Sequence, residues 1–221
     1  IILILMFLIS EYKVFPLLKS KIKAKFEIFE LFSYSWPLIF VGLLDYLMGW
    51  IDTIMIGKLM DVKSVGLYNA ALPIANLLTL LPLTFTPLFL PLITKNFANK
   101  KMFLVDSLTK NVGKWVFFIN FPILLLMFLF PRFFINILFG KEYLSAASSL
   151  IFLSFGFFIF SLSQPSIQLL RMVKKTKLYL INVIISAPIN IILNLFFIPK
   201  YGISGAAIAT SISYLIFSLL F

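Results

Sequence analysis

The stretch that decides the fold runs from Ser35 to Asn69 and reads SWPLIFVGLLDYLMGWIDTIMIGKLMDVKSVGLYN. Its first part is apolar for longer than the roughly 20 residues that span the hydrocarbon of a bilayer, which predicts a transmembrane helix. Two acids, Asp45 and Asp52, interrupt it, and at helical spacing they share a face with Gly42 and Gly49. Because a carboxylate at mid-depth costs roughly 2.5–3.5 kcal/mol on insertion scales, we expect this face to contact other helices or a watery cavity.

The composition places the chain among polytopic membrane proteins. Of its 221 residues 62% are hydrophobic and 12% are charged, and the mean hydropathy is +1.08. A soluble domain carries about 25% charged residues. Cysteine and histidine are absent, which excludes disulfides, Ser-His and Cys-His catalysis, and metal sites built on thiolate or imidazole, so no metal site is predicted. The net charge of +11 lies in short loops between apolar runs, which indicates topology signals and contacts with anionic lipids, not nucleic acid.

The apolar runs predict an all-α bundle of transmembrane helices with three parts. Residues 1–9 are expected to be the end of a preceding transmembrane helix, so the chain is expected to be an internal or C-terminal fragment of a longer protein. Residues 10–33 form a basic linker, either solvated or lying on the membrane as an amphipathic helix. Residues 34–221 are predicted to hold six spans, at about 34–57, 65–94, 113–131, 146–170, 178–198 and 204–221.

The distribution of lysine and arginine orients these spans. Fourteen of the nineteen cations fall on one side of the predicted bundle, in the linker and in the loops around Lys101 and Lys175. The other five fall in the alternate loops, which include Lys63 and Lys141. Cytoplasmic loops of membrane proteins carry the excess of positive charge, so the linker is expected to be cytoplasmic in a multi-pass protein of the cell membrane.

Polar residues recur along single faces of several spans. The second span carries Asn69 and Asn76, together with prolines that predict a bend. The fourth span carries Gln164 and Gln168, and the fifth carries Asn182, Ser186, Asn190 and Asn194 at steps of four residues. Each stripe alone is compatible with simple hydrogen bonds between helices. Three such stripes in one bundle favour a shared polar cavity for a substrate or an ion, lined also by Asp45 and Asp52.

Several short motifs together resemble a known family. They are Trp36-Pro37, Trp50-Ile51-Asp52, the run Val65 to Asn69, Phe89-Leu90-Pro91, Phe139 to Tyr143, Lys175-Thr176-Lys177, the pair Asn190 and Asn194, and the run Ile198 to Ala207. In this order and spacing they resemble the polysaccharide-repeat-unit flippases of the multidrug, oligosaccharidyl-lipid and polysaccharide exporter superfamily. The resemblance implies two six-helix lobes that face each other across a central cavity. Residues 34–221 would form the C-terminal lobe, and the partner N-terminal lobe would belong to the missing part of the same chain.

The resemblance implies a flippase that moves a lipid-linked oligosaccharide across the cytoplasmic membrane by alternating access. Such transporters often carry basic residues within their spans to meet an anionic lipid diphosphate. No Lys or Arg lies deep in a complete span here, so we expect these residues in the missing half.

Two other functions are compatible with the sequence. One is a multidrug or cation antiporter of the same superfamily, in which Asp45 or Asp52 binds H⁺ or Na⁺. The other is a membrane enzyme acting on sugar lipids, which the short outer loops and the single acid near that face disfavour. We therefore expect a transporter with no cofactor beyond a coupling ion.

The two acids are expected to play different roles. Asp45 has no cationic neighbour in its span, and a low-dielectric surrounding favours its protonated form, so it is the candidate for carrying a proton. Asp52 lies nearer the end of the span, where we expect it to be closer to water and to bond the outer hairpin. The alternative for both is a purely structural bond to a neighbouring helix.

Overall fold

The computed structural model describes residues 28–173 and 175–220. The chain divides into two units, residues 1–33 and 34–221, and the architecture below is that of the second unit. The predicted helix end at 1–9 and all of the linker before residue 28 lie outside the described residues. The structure of residues 1–27 therefore stays a prediction, whereas residues 28–33, predicted as the end of the linker, already belong to a helix.

The described residues are helical almost throughout. Seven α-helices follow in order, α1 to α7: Ile28–Leu59, Val62–Ala98, Met102–Leu129, Pro131–Phe139, Ala147–Met172, Thr176–Tyr201 and Ile203–Leu219. A 3₁₀ helix, Lys141–Ala146, lies between α4 and α5. Four segments are long and apolar enough to cross a bilayer, namely Val62–Phe85, Met102–Leu129, Lys141–Met172 and Thr176–Tyr201. The predicted class, a helical membrane bundle, is confirmed.

Helix α5 is the centre of the packing. It lies against α2, α3 and α7, and α7 in turn packs on α6. The main core joins these helices through fully buried side chains such as Ile74, Leu78, Leu150 and Leu153. Large apolar side chains such as Phe118 and Phe196 point outward and remain exposed, as expected for a surface that faces lipid.

The two ends of the bundle differ in charge. Thr94, near the end of α2, donates a hydrogen bond to Met172 Sδ at the end of α5 (3.3 Å), so these two ends lie together. We call this the basic end; its cations are Lys95, Lys100, Lys101, Lys110, Lys114, Arg171, Lys175 and Lys177. At the opposite end, Ser148 and Ser204 share a hydrogen bond (2.8 Å) between the starts of α5 and α7.

The third helix begins earlier than the sequence predicted. The predicted span starts at 113, whereas α3 starts at Met102. Its first three turns are amphipathic: Val105 and Val112 are buried, while Lys110 is exposed and forms an ion pair with Asp106 (2.7 Å). The hydropathy pattern marks only the apolar part of such a helix, so the amphipathic extension was missed.

The helix α4 was not predicted as a separate element. The apolar run that begins in α3 breaks at Phe130, and Pro131 opens the nine-residue helix α4. Proline is favoured in the first turn of a helix, where its missing N–H has no partner to lose. A short helix that follows a long apolar run directly leaves no polar gap in the sequence to mark the break.

Two connections position the helices that carry the site. Asp61 caps α2 by accepting the backbone N–H of Ser64 (2.8 Å), and its hydrogen bonds to Ser64, side chain and backbone, lower the pKa of Asp61. Between α6 and α7, Gly202 has a φ of +60°, a conformation that glycine adopts readily. At Gly205 a Cβ would collide with the carbonyl of Phe197, so only glycine permits α7 to approach α6 so closely.

Candidate functional site

Four helices meet at the side chain of Asp52, near the end of α1. Tyr68 of α2 donates its hydroxyl to Asp52 Oδ2 (2.7 Å), and Asn194 of α6 donates Nδ2 to Asp52 Oδ1 (2.6 Å). Thr210 of α7 donates its hydroxyl to Asp52 Oδ2. The carboxyl group thus accepts three hydrogen bonds from three other helices, an arrangement that suits the ionised, acceptor-only form.

A second layer of hydrogen bonds holds these donors in place. Asn190, one turn before Asn194, accepts from Asn194 Nδ2 at its Oδ1 (3.1 Å) and donates its own Nδ2 to the hydroxyl of Thr210 (3.4 Å). We call Asp52, Tyr68, Asn190, Asn194 and Thr210 the carboxylate cluster; each member is at most 7% exposed. Its geometry corrects our expectation that Asp52 lies near water and bonds the outer hairpin. The cause is that α2, α6 and α7 surround this turn of α1.

The carboxylate cluster is rich in oxygen and poor in positive charge. Besides the two carboxylate oxygens it contains the amide oxygens of Asn190 and Asn194 and the hydroxyls of Tyr68 and Thr210. The amide oxygen Oδ1 of Asn194 is buried and accepts no hydrogen bond from the described residues. Carboxylate, amide and hydroxyl oxygens are the ligands that hard cations prefer. The cluster therefore has the chemistry to hold a proton or a small cation.

A cavity of about 430 Å³ extends from the carboxylate cluster toward the basic end. Its walls come from five helices, α1, α2, α5, α6 and α7. Polar side chains lie along it, among them Asp52, Asn76, Gln164, Gln168, Arg171, Ser186 and Asn190. Apolar and aromatic side chains, including Leu72, Phe157, Phe160 and Tyr214, form the rest of the lining. A polar stripe in an apolar wall suits an amphipathic solute.

Arg171 and Tyr179 mark the end of this cavity at the basic end. The guanidinium carbon of Arg171 lies 4.9 Å from the centre of the Tyr179 ring, a cation–π contact between α5 and α6. Gln164, Gln168 and Arg171 follow one another at steps of four and three residues, so they lie on one face of α5. Two carboxamides and one guanidinium therefore line the cavity along the same helix.

Comparison with known proteins identifies the family of the chain. Residues 1–148 match the family described as "Polysaccharide biosynthesis protein". The chain belongs to this family. No solved structure matches the chain.

Three relatives illustrate the range of the polysaccharide biosynthesis family. The lipid II flippase MurJ of Bacillus subtilis is 27% identical over 199 residues, which cover 85% of this chain and 37% of the relative. The capsular polysaccharide biosynthesis protein CapF of Staphylococcus aureus is 29% identical, with coverage of 86% and 48%. A probable low-salt glycan biosynthesis flippase of Haloferax volcanii is 24% identical, with coverage of 86% and 40%. The chain spans less than half the length of these relatives.

These findings confirm the resemblance to the flippases of the exporter superfamily and the multi-pass membrane location. The structure brings together five of the predicted site residues around the cavity: Asp52, Asn76, Gln164, Gln168 and Asn190. Asn194 is fully buried and does not line the cavity itself. It is linked to the cavity through its hydrogen bond to Asn190, which does line it. Asn69 is exposed and accepts a hydrogen bond from Thr53 (3.2 Å). The side chain of Asp45 lies outside the described part of the structure, so its role stays a prediction.

The polar residues of the stripe on α6 have two different sets of hydrogen-bond partners. Asn182 donates to the carbonyl of Phe217 on α7 (2.9 Å), and Ser186 donates to the carbonyl of Asn182 (2.9 Å). The bond from Asn182 is a simple hydrogen bond between helices, the alternative to a cavity role that the sequence left open. Asn190 and Asn194, one and two turns further along, take part in the carboxylate cluster instead.

Sequence reasoning missed three members of the site. Arg171 was expected among the loop cations, whereas α5 continues to Met172 and keeps Arg171 on the cavity face. Its spacing from Gln168 and Gln164 was the available signal. The basic residues expected deep within the spans of the missing half stay a prediction. Thr210 stands in a small-residue stretch with no such signal. Tyr68 was noticed only as part of a motif.

Proposed function

We propose that the chain is one lobe of a membrane flippase that moves a lipid-linked oligosaccharide from the cytoplasmic to the outer leaflet. The observation that carries this proposal is the cavity of about 430 Å³, which combines a polar stripe with apolar walls in a helical membrane bundle. Hydroxyl groups of a sugar can bond to carboxamides, and apolar and aromatic walls tolerate its less polar faces and the lipid. The names of two of the three relatives include the word flippase, which supports a transporter and not an enzyme.

Arg171 supports an anionic substrate. In the proposed orientation the basic end faces the cytoplasm, where lipid-linked sugars are made, so Arg171 stands at the entrance of the cavity. A guanidinium binds phosphate oxygens with two parallel hydrogen bonds, and the ring of Tyr179 orients it. The phosphate of the lipid carrier would bind at Arg171, and the sugar would reach Gln168, Gln164 and Asn76.

The carboxylate cluster supports coupling of transport to an ion, either H⁺ or Na⁺. A proton on Asp52 would turn one carboxylate oxygen into an O–H donor, so one of the three groups that now donate to Asp52 would have to accept that bond or move away. Binding of Na⁺ would instead need Asn194 and Thr210 to turn their oxygen atoms toward the ion. Both changes would alter the bonds that join α1 to α2, α6 and α7. Binding of the ion would therefore alter how the walls of the cavity are held together, which is what alternating access against the N-terminal lobe requires.

A reconstituted assay tests the substrate. The full-length protein is placed in liposomes with a fluorescent lipid-linked oligosaccharide, and the rate of its movement between leaflets is measured. We expect Arg171→Gln to reduce the rate at low substrate concentration, while Lys177→Gln, an exposed cation of the same end, leaves it unchanged. Equal rates for wild type and Arg171→Gln would contradict the phosphate role. Transport of a cationic drug in place of the lipid would favour the antiporter.

Two variants test the coupling. Asp52→Asn keeps the size of the side chain but removes its charge, and we expect transport to lose its dependence on a Na⁺ or pH gradient. Asp106→Asn, which changes an exposed carboxyl on α3, is the matched control. Replacing both Asn190 and Asn194 by Leu makes α6 more apolar, so insertion is expected to persist while transport stops. Unchanged gradient dependence of Asp52→Asn would move the coupling site elsewhere, for example to Asp45 or to the other lobe.

A further inference from the structure

A buried asparagine of α3 occupies a place where α2 lacks a backbone donor. In a regular helix the carbonyl of Leu78 accepts the N–H of residue 82. Residue 82 is proline, which has no N–H. Asn120 donates its Nδ2 to this carbonyl (2.8 Å), and it is fully buried at that point. A side chain of one helix thus replaces the missing donor of another.

The same amide group reaches a third helix. Asn120 Nδ2 also donates to Ser161 Oγ of α5 (2.9 Å), and the Ser161 hydroxyl donates to the carbonyl of Phe158 (2.7 Å). Four residues after Ser161 stands Pro165, which cannot donate back to the Ser161 carbonyl. We call Leu78, Asn120 and Ser161 the Asn120 junction. At its level α2 and α5 each lack one backbone hydrogen bond, to the carbonyl of Leu78 and to that of Ser161.

Packing differs on the two sides of the Asn120 junction. Toward the opposite end, α2, α3 and α5 meet in a core of buried side chains that includes Ala71, Met127 and Leu150. Toward the basic end they leave unfilled space. A gap of about 20 Å³ lies between the three helices, and an open groove of about 410 Å³ separates α3 from α5 between Met102 and Leu169.

The segments beyond the junction are those that line the entrance of the cavity. Leu83 of α2 and Gln168 and Arg171 of α5 all lie on the basic-end side of the junction and all line the cavity. A rotation of these segments about Pro82 and Pro165 would change the width of the entrance, and the open groove leaves room for it.

We propose that Asn120 is a positioning residue that holds α2 and α5 together at one level and lets their basic-end segments move about it. Asn120 supplies the bond that Pro82 lacks, so the helix can bend there without a bare buried carbonyl. The bend belongs to the opening and closing of the cavity entrance, and in this respect the inference rests on the proposed transport function. The hydrogen-bond replacement itself does not depend on that function and is tested separately.

The first experiment measures the replacement by heat unfolding of the full-length protein in detergent. Asn120→Leu should lower the unfolding midpoint. In a Pro82→Ala background, residue 82 again offers an N–H to Leu78, so the same Asn120→Leu change should lower the midpoint much less. Asn111→Leu, at an exposed site of the same helix, is the matched control and should leave the midpoint unchanged. An equal loss in both backgrounds would overturn the assignment of Asn120 to the Leu78 carbonyl.

The second experiment measures movement by distances between spin labels on introduced cysteines. One pair, at Lys95 and Lys114, reports the basic-end parts of α2 and α3, and a second pair, at Lys63 and Arg132, reports the opposite end. Asn120→Leu should broaden the distance distribution of the first pair only. Pro82→Ala alone should narrow the distance distribution of the first pair and slow transport severalfold, while the protein stays at least as heat-stable as wild type. This second variant keeps the test decisive even if Asn120→Leu fails to fold.

Two results would overturn the hinge. Equal broadening of both label pairs would mean that Asn120 only contributes general stability. An unchanged basic-end distribution in Pro82→Ala would mean that the segments do not move about this level. If the protein moves no lipid-linked sugar at all, the label distances and the unfolding comparison still decide the role of Asn120, so the two proposals fail separately.

Discussion

Tyr68→Phe tests the carboxylate cluster with the smallest possible change. It removes one oxygen atom from a side chain with no exposed surface, and with it the hydroxyl that donates to Asp52 Oδ2. A hydrogen bond to a charged group contributes roughly 1.5–3 kcal/mol to stability. Thr210 still donates to the same oxygen, so we expect a loss near the lower limit, about 1.5 kcal/mol.

The measurement is the free energy of reversible unfolding in mixed detergent micelles. Tyr143→Phe is the matched control, because the Tyr143 hydroxyl forms no hydrogen bond within the described residues and its loss should change the free energy by less than about 0.5 kcal/mol. A double-mutant cycle with Asp52→Asn shows whether the charge matters: Tyr68→Phe should cost less once the carboxylate is an amide. Equal costs of Tyr68→Phe and Tyr143→Phe would refute the cluster as a source of stability.

Three further predictions concern the fold. Gly205→Ala places a methyl group against a backbone carbonyl of α6, so it should destabilise the protein by about 1–3 kcal/mol or more, whereas Gly113→Ala meets open space and should be neutral or stabilising in the same unfolding assay. A cysteine at Lys63 should react with an impermeant thiol reagent added outside intact cells and one at Lys101 should not; the reverse pattern would invert the proposed orientation. Hydrogen bonding lowers the pKa of Asp61, so the stability that its cap contributes should be fully present at pH values above the usual pKa of aspartate. It should be lost as the pH falls through the lowered pKa. A difference in unfolding free energy between wild type and Asp61→Asn that does not change with pH would exclude this.

The sequence by itself determined the class of the protein. A mean hydropathy of +1.08 over 221 residues leaves too few polar residues for a water-exposed surface, and backbone groups in lipid must bond within their own segment, so the chain has to form transmembrane helices. Periodicity also determined which polar residues share a face. Gln164 and Gln168 on α5 and Asn190 on α6 do line one cavity, because the angular position of a residue on a helix depends only on its number.

The tertiary structure alone decided which of these faces meet. Asp52 bonds Asn194, 142 positions away, and Thr210, 158 positions away, and no local pattern encodes such partners. It also decided that Asp52 is buried although it lies near the end of its predicted span, since exposure depends on the neighbouring helices and not on depth along one helix. Arg171 reads as a loop cation in the sequence and becomes a cavity residue because its helix continues past the apolar run. Asn120 carries no signal of its own; its role exists only because the packing of three helices places its amide beside the one carbonyl that Pro82 leaves without a donor.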